Sequence, residues 1–213
     1  MKTIANLIDY TNLRQDAIDS NIISLCEEAK KFGFASVCVN PVHVKLAASI
    51  LKNDKTKTCS VIGFPLGANS FEMKFAETRF LVHQGVEEVD MVLNIGALKE
   101  GKHDVIKQEI SKVVDASDGI CVKVIIEACL LNDEEKIVAS KIAIDAGAAF
   151  IKTSTGFSFN GATIEDVRLI RKTVGNEVGV KASGGINTLK KVQSMIDAGA
   201  NRIGTSSGAS LMI

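Results

Sequence analysis

"IDAGAAFIKTSTG" occupies residues 144–156 and "IDAGANRIGTSSG" occupies residues 196–208, so one phrase is written almost twice. Lys152 of the first copy aligns with Gly204 of the second, an offset of 52 positions. Two strand–helix units of about 26 residues each would produce that offset, as an internal repeat does in a fold assembled from identical units. The glycine that should end each helix marks the register. Five positions after Gly33, Gly85, Gly147 and Gly199 stand Cys38, Asp90, Lys152 and Gly204.

Outward from this repeat, short β-branched runs alternate with amphipathic segments. Strands are expected at 7–11, 36–40, 59–64, 88–94, 122–128, 150–154, 178–183 and 202–206. Helical spacing connects them, as in 17–32, where Ile18, Ile22, Leu25, Cys26 and Ala29 recur at helical intervals, and in 72–84. Ser70, Asn132 and Asn187 read as helix starts. Strict alternation implies parallel βαβ units. Eight of them favour closure into a barrel over an open sheet, for which a GxGxxG turn after the first strand would be expected and is missing. The reading is an α/β fold, a single (β/α)8 TIM barrel over residues 1–213. Alternate strands supply one interior layer of such a barrel. Cys38, Asp90, Lys152 and Gly204 should therefore point inward at one height, with small Cys38 and Gly204 leaving room. Asp90 and Lys152, two strands apart at about 4.8 Å per strand, should meet across roughly one water.

Composition limits the function classes. The chain of 213 residues is 46% hydrophobic and 23% charged, and its 25 basic and 25 acidic residues give a formal net charge of zero. That balance argues against nucleic acid or an anionic membrane as partner. Asp9 interrupts the only apolar stretch near the start, and no run approaches the length of a membrane span, so a cytoplasmic location is expected. The five cysteines lack CxxC spacing and read as reduced thiols. The three histidines, His43, His83 and His103, form no ligand spacing, so neither a metal nor another cofactor is expected.

The chemistry concentrates at strand ends. Lys152 follows Phe150 and Ile151 and precedes a Ser-Thr-Gly turn, and Lys181 stands in "VGVKASGG" on the next strand. Two ammonium groups held together in a low dielectric repel, and one should lose its proton near neutral pH. A neutral lysine amine attacks carbonyls and forms a Schiff base. Asp90 then fits as proton shuttle, directly or through water. The bland alternatives are a lysine reaching solvent and a structural ion pair. Lys123 and Glu127, like Asp90, Val92 and Asn94, share a strand face and read as a supporting network. Asp9 and Thr11 should line the mouth. Gly184-Gly185 after strand 7 and Ser206-Ser207-Gly208 after strand 8 form a phosphate-shaped cluster, with Thr155-Gly156 as a third wall.

Taken together, "LIDYTNL", "VIGFPLGANSFEMKFAET", "GVEEVDMVLNIGALKEG", "VKVIIEACLL", "AGAAFIKTSTGF", "VGVKASGGI" and "RIGTSSG" resemble the deoxyribose-phosphate aldolase family of class I aldolases over nearly the whole chain. The resemblance implies a TIM barrel that reversibly cleaves 2-deoxy-D-ribose 5-phosphate to acetaldehyde and D-glyceraldehyde 3-phosphate. It implies that Lys152 carries the Schiff base, that Lys181 perturbs its ionisation, and that Asp90 moves the proton with a bound water. The partners it implies are a small sugar phosphate and aldehydes, and a homo-oligomer is compatible with it. Tyr10 stands where many relatives have histidine, and the tyrosine-ended tail of some relatives has no counterpart. A transaldolase-type or fructose-bisphosphate-aldolase-type barrel and a catalytically silent sugar-phosphate binder are the competing readings.

Overall fold

In a computed structural model that describes residues 4–213, eight strands close into a barrel: β1 (Ile8–Asn12), β2 (Ser36–Val39), β3 (Lys57–Ile62), β4 (Glu88–Val92), β5 (Cys121–Ile125), β6 (Phe150–Lys152), β7 (Gly179–Ser183) and β8 (Arg202–Thr205). Every neighbouring pair is parallel, including β8 with β1. The connections carry α1 (Asp19–Phe32), α2 (Val44–Leu51), α3 (Phe71–His83), α4 (Ile95–Lys99), α5 (His103–Ala116), α6 (Asp133–Asp145), α7 (Ile164–Val174) and α8 (Leu189–Asp197). The short α4 shares the β4–β5 connection with α5, and β8 is followed by a 3-10 turn at Ala209–Leu211.

The expected helix signals can be checked one by one. Gly33 caps α1 in the left-handed region, and its amide bonds back to Ala29 and Lys30. Asn132 caps α6 in a full capping box with Glu135. Ser70 sits at the start of α3 without a side-chain cap bond. The cap of α8 is Thr188, one residue beyond Asn187, because the Thr188 hydroxyl is the group that accepts from the Lys191 amide.

The apolar core lies between barrel and helices. Outward-facing Val37, Val39, Val89, Met91, Val124, Ile151, Val180 and Ile203 pack under Ile22, Leu25, Ile106, Ile110, Val167, Ile170 and Val192 of the helices. The barrel interior is polar instead. Helix α3 departs from simple amphipathicity: it buries Lys74, paired with Glu109 of α5 at 3.0 Å, and leaves Phe71, Met73, Phe75 and Phe80 exposed. No described helix is long and apolar enough to cross a membrane.

Candidate active site

The strand register stacks the interior in alternating layers. Ser36, Glu88, Phe150 and Arg202 of the even strands lie at the bottom, and Asp9, Cys59, Lys123 and Lys181 of the odd strands lie above them. Cys38, Asp90, Lys152 and Gly204, again from even strands, form the next layer, as the glycine spacing implies. Gly204 is required there: a Cβ would fall 2.9 Å from the Ser183 Cβ and 3.1 Å from the Lys181 Cε.

Asp90 is the hub. Its Oδ2 accepts from Lys152 Nζ and from Lys181 Nζ, both at 2.7 Å, and its Oδ1 accepts from Lys123 Nζ at 2.9 Å. Asp90 and Lys152 therefore meet directly, without the intervening water that strand spacing suggests, because the lysine is long enough to close the gap. Below, Lys181 pairs with Asp9 at 2.5 Å, Lys123 with Glu88 at 2.7 Å, and Arg202 with Glu88 at 2.6 Å and Asp9 at 3.2 Å. Burial opposes the charge of Asp90, but Lys123, Lys152 and Lys181 outweigh it and hold the carboxyl well below its ordinary range. Burial also opposes the charges on Asp9 and Lys181. Lys181 and Arg202 nevertheless pull Asp9 down to about 2, and Asp9 and Asp90 raise Lys181 above the usual lysine value. Lys123 is held well above it too, chiefly by Asp90 against burial.

Away from solvent, three carboxylates (Asp9, Glu88, Asp90) face four cations (Lys123, Lys152, Lys181, Arg202). One positive charge is in excess. Lys123 and Lys181 are fully buried and held charged, whereas Lys152 is 3% exposed and lines the cavity above. Lys152 is thus the one lysine of the cluster that a carbonyl compound in the cavity can reach.

That cavity, about 710 Å3, opens at the carboxyl ends of the strands. Thr11, Thr155, Gly156, Gly184, Gly185, Ser206 and Ser207 all line it. Gly184 and Gly185 have φ of 87° and 75°, which strains any side chain at either position, and at Gly184 a Cβ would also lie 2.8 Å from the Cα of Gly161. The amides of Gly156, Gly184, Gly185 and Ser206 make no hydrogen bond among the described residues and stay available to an anion. The Ser207 amide is already taken by Thr205 Oγ1 at 3.0 Å.

Several expectations need correction. Asp9 does not line the mouth. It lies two residues, and two layers, below Thr11 and is fully buried among Lys181, Arg202 and Ser36. Lys123 and Glu127 do not form one network. Strand β5 ends at Ile125 and Glu127 turns into the left-handed region at φ 50°, which breaks the alternation and sends its carboxylate to Thr155. Asn94 caps α4 by accepting from the Ala97 amide. Cys38 is buried beside Cys59, and their sulfurs with an Asp90 oxygen lie mutually within 4.8 Å. That trio does not suit a metal ion, since the Lys123 ammonium already stands 3.5 Å from the Cys59 sulfur and 2.9 Å from Asp90. Sequence reasoning missed Glu88 and Arg202, although each stands two residues before an inward residue it did identify, Asp90 and Gly204.

A buried carboxylate joined to three lysines, one of which reaches a polar cavity with free backbone amides, defines a class I aldolase on a (β/α)8 barrel. Comparison with known proteins agrees. A family model for "DeoC/LacD family aldolase" matches residues 3–211, and the chain belongs to that family. It is 57% identical to a deoxyribose-phosphate aldolase of Geobacillus sp. (strain WCH70) over 210 residues, 98% of this chain and 94% of the relative. With that of Listeria welshimeri it shares 54% over 211 residues, 99% of this chain and 95% of the relative. Among solved structures, an aldolase designated QR15 superposes with a TM-score of 0.95 at 44% identity, covering 99% of this chain and 95% of that one. A structure described as a unique tetrameric deoxyribose phosphate aldolase from Aeropyrum pernix gives a TM-score of 0.92 at 32% identity, covering 98% and 89%.

Proposed function

We propose that the chain reversibly cleaves 2-deoxy-D-ribose 5-phosphate to acetaldehyde and D-glyceraldehyde 3-phosphate through a Schiff base on Lys152. The observation that carries this reading is that, of the three lysines on Asp90, only Lys152 lines the cavity. Its neutral amine adds to the C1 aldehyde, and loss of water gives the imine. The C2–C3 bond then breaks as the 3-hydroxyl gives up its proton, leaving glyceraldehyde 3-phosphate and an enamine. Protonation at C2 and hydrolysis of the imine release acetaldehyde. Asp90, 2.7 Å from Lys152 Nζ, moves protons during these steps. Lys181, held as an ammonium, keeps the interior one charge in excess. Lys123 fixes Asp90 from below, while Asp9 holds Lys181 in place.

The 5-phosphate fits the turns of Gly184-Gly185 and Ser206-Ser207, with Gly156 as third wall and Thr11 on the same cavity lining, while Cys38 lies buried in the layer of Lys152. Binding energy at this remote end places C1 against Lys152, so loss of the phosphate lowers turnover as well as affinity. In a coupled cleavage assay, 2-deoxyribose 5-phosphate should be consumed and unphosphorylated 2-deoxyribose should react poorly. Ser207→Asp places a carboxylate beside the phosphate and should sharply reduce cleavage of the phosphorylated substrate while changing that of 2-deoxyribose little. An equal fall with both substrates would put the phosphate elsewhere; no cleavage by the unaltered protein would refute the reaction.

The same proposal takes residues 1–213 as one catalytic barrel acting in the cytoplasm, in keeping with its five free cysteines. It also includes a homo-oligomer, supported by the exposed Phe71, Met73, Phe75 and Phe80 on α3.

A further inference from the structure

We infer that Thr155 accepts a hydrogen bond from the substrate hydroxyl on the carbon next to the phosphorylated one, and that Glu127 fixes this polarity. The inference rests on the reaction proposed above and adds a determinant of its specificity.

A threonine hydroxyl has one proton to give and two lone pairs to accept with. At Thr155 most of this capacity is already used. The hydroxyl donates to Glu127 Oε2 in a short contact, while the Thr155 amide donates to Glu127 Oε1 at 3.1 Å. The Phe157 amide donates to Thr155 Oγ1 at 3.0 Å and takes one lone pair. A single lone pair is left, so the hydroxyl can only accept toward the cavity that Thr155 lines.

Glu127 is built to enforce this. Its side chain is buried, its backbone is held at φ 50° where non-glycine residues are strained, and no cation lies within ion-pair distance of it among the described residues. The flanking loops are joined beside it, the Ala128 amide donating to the Thr153 carbonyl at 2.8 Å and Cys129 lying 3.3 Å from Ser158 Oγ. The carboxylate thus has Thr155 as its hydrogen-bonding partner and keeps the threonine proton turned away from the cavity.

An acceptor-only group is a poor neighbour for phosphate oxygens, which are themselves acceptors, but a good one for a hydroxyl. Thr155 adjoins Gly156, whose Cα would lie 3.6 Å from a Cβ at Gly184, so it stands near the phosphate end of the cavity. With the aldehyde carbon on Lys152 and the phosphate at Gly184-Gly185, the hydroxyl at this end of the substrate is the one on C4. Thr155 is therefore a reader of that hydroxyl, whereas phosphate recognition falls to the unclaimed amides.

The test compares cleavage of 2-deoxyribose 5-phosphate with that of 3-hydroxy-5-phosphooxypentanal, which lacks the 4-hydroxyl, and with that of 2-deoxyribose, which lacks the phosphate. Thr155→Val should lower kcat/KM for 2-deoxyribose 5-phosphate about tenfold, the scale of one lost hydrogen bond with a polar group left unpaired, and should barely affect the 4-deoxy substrate. Thr155→Ser, which keeps the hydroxyl and both internal partners, should preserve the discrimination. Glu127→Gln turns an amide donor toward Oγ1 and should erode the discrimination as valine does. Equal losses for both phosphorylated substrates in Thr155→Val, or an equal loss in Thr155→Ser, would reduce Thr155 to a structural role. Collapse of the preference for the phosphorylated sugar over 2-deoxyribose would assign the hydroxyl to the phosphate; either result overturns the inference. Failure of the unaltered protein to cleave 2-deoxyribose 5-phosphate would instead overturn the proposed reaction, and that control is read first.

Discussion

Lys181→Leu keeps the barrel but loses on the order of 10²-fold in kcat/KM at neutral pH, because a neighbouring charge in a low dielectric displaces an ionisation by about 1–3 pH units. With Lys181 present, the interior holds four cations against three carboxylates, one positive charge in excess beside the reacting amine. Without it the counts are equal and that excess is gone. A loss of electrostatic origin depends on pH, so part of the activity should be recovered under alkaline conditions. The variant also leaves Asp9 with the Ser36 hydroxyl and a single cation, Arg202, 3.2 Å away, and should be less stable, which a denaturation curve measures separately. Unchanged activity at neutral pH, or the same fold-loss at every pH, would refute the electrostatic role.

Asp90→Asn separates proton transfer from bond formation. Removing the carboxylate takes away the proton acceptor but leaves the Lys152 amine in the cavity. Imine formation should survive, as read by borohydride trapping, while turnover falls by about 10²-fold or more, the usual effect of a lost acid–base group. Because Asp90 also joins Lys123, Lys152 and Lys181, the variant should unfold at lower denaturant concentration. Parallel losses in trapping and turnover would make Asp90 structural only.

The barrel was legible because its repeat is short and its punctuation regular. Gly33, Gly85, Gly147 and Gly199 end helices with φ from 71° to 114°, and counting five residues onward found one interior layer without any structure. Counting could not supply the layers below it. Asp9, Lys123 and Lys181 were visible as charged residues within strands, but their pairing depends on the stagger of the closed sheet, which adjacent letters do not encode. Lysine reach was also invisible: a strand-spacing estimate placed a water between Asp90 and Lys152, and a four-carbon side chain closes that gap. Glu127 illustrates the opposite failure. Period-two alternation placed it with Lys123, yet a left-handed residue after Ile125 ends the alternation, and only the Thr155 hydroxyl and amide explain where the carboxylate goes. The glycine and serine turns meet at one cavity because loops at the carboxyl ends of parallel strands converge whatever their sequence.

Lys152, the one lysine of the Asp90 cluster that reaches the cavity, is the proposed site of the covalent intermediate. Incubation with 2-deoxyribose 5-phosphate and borohydride, followed by peptide mapping by mass spectrometry, tests it directly. One stable adduct per chain is expected, on the peptide containing Lys152 and absent from Lys152→Arg. An adduct on Lys181 or Lys123, or full turnover with no adduct at all, would contradict it.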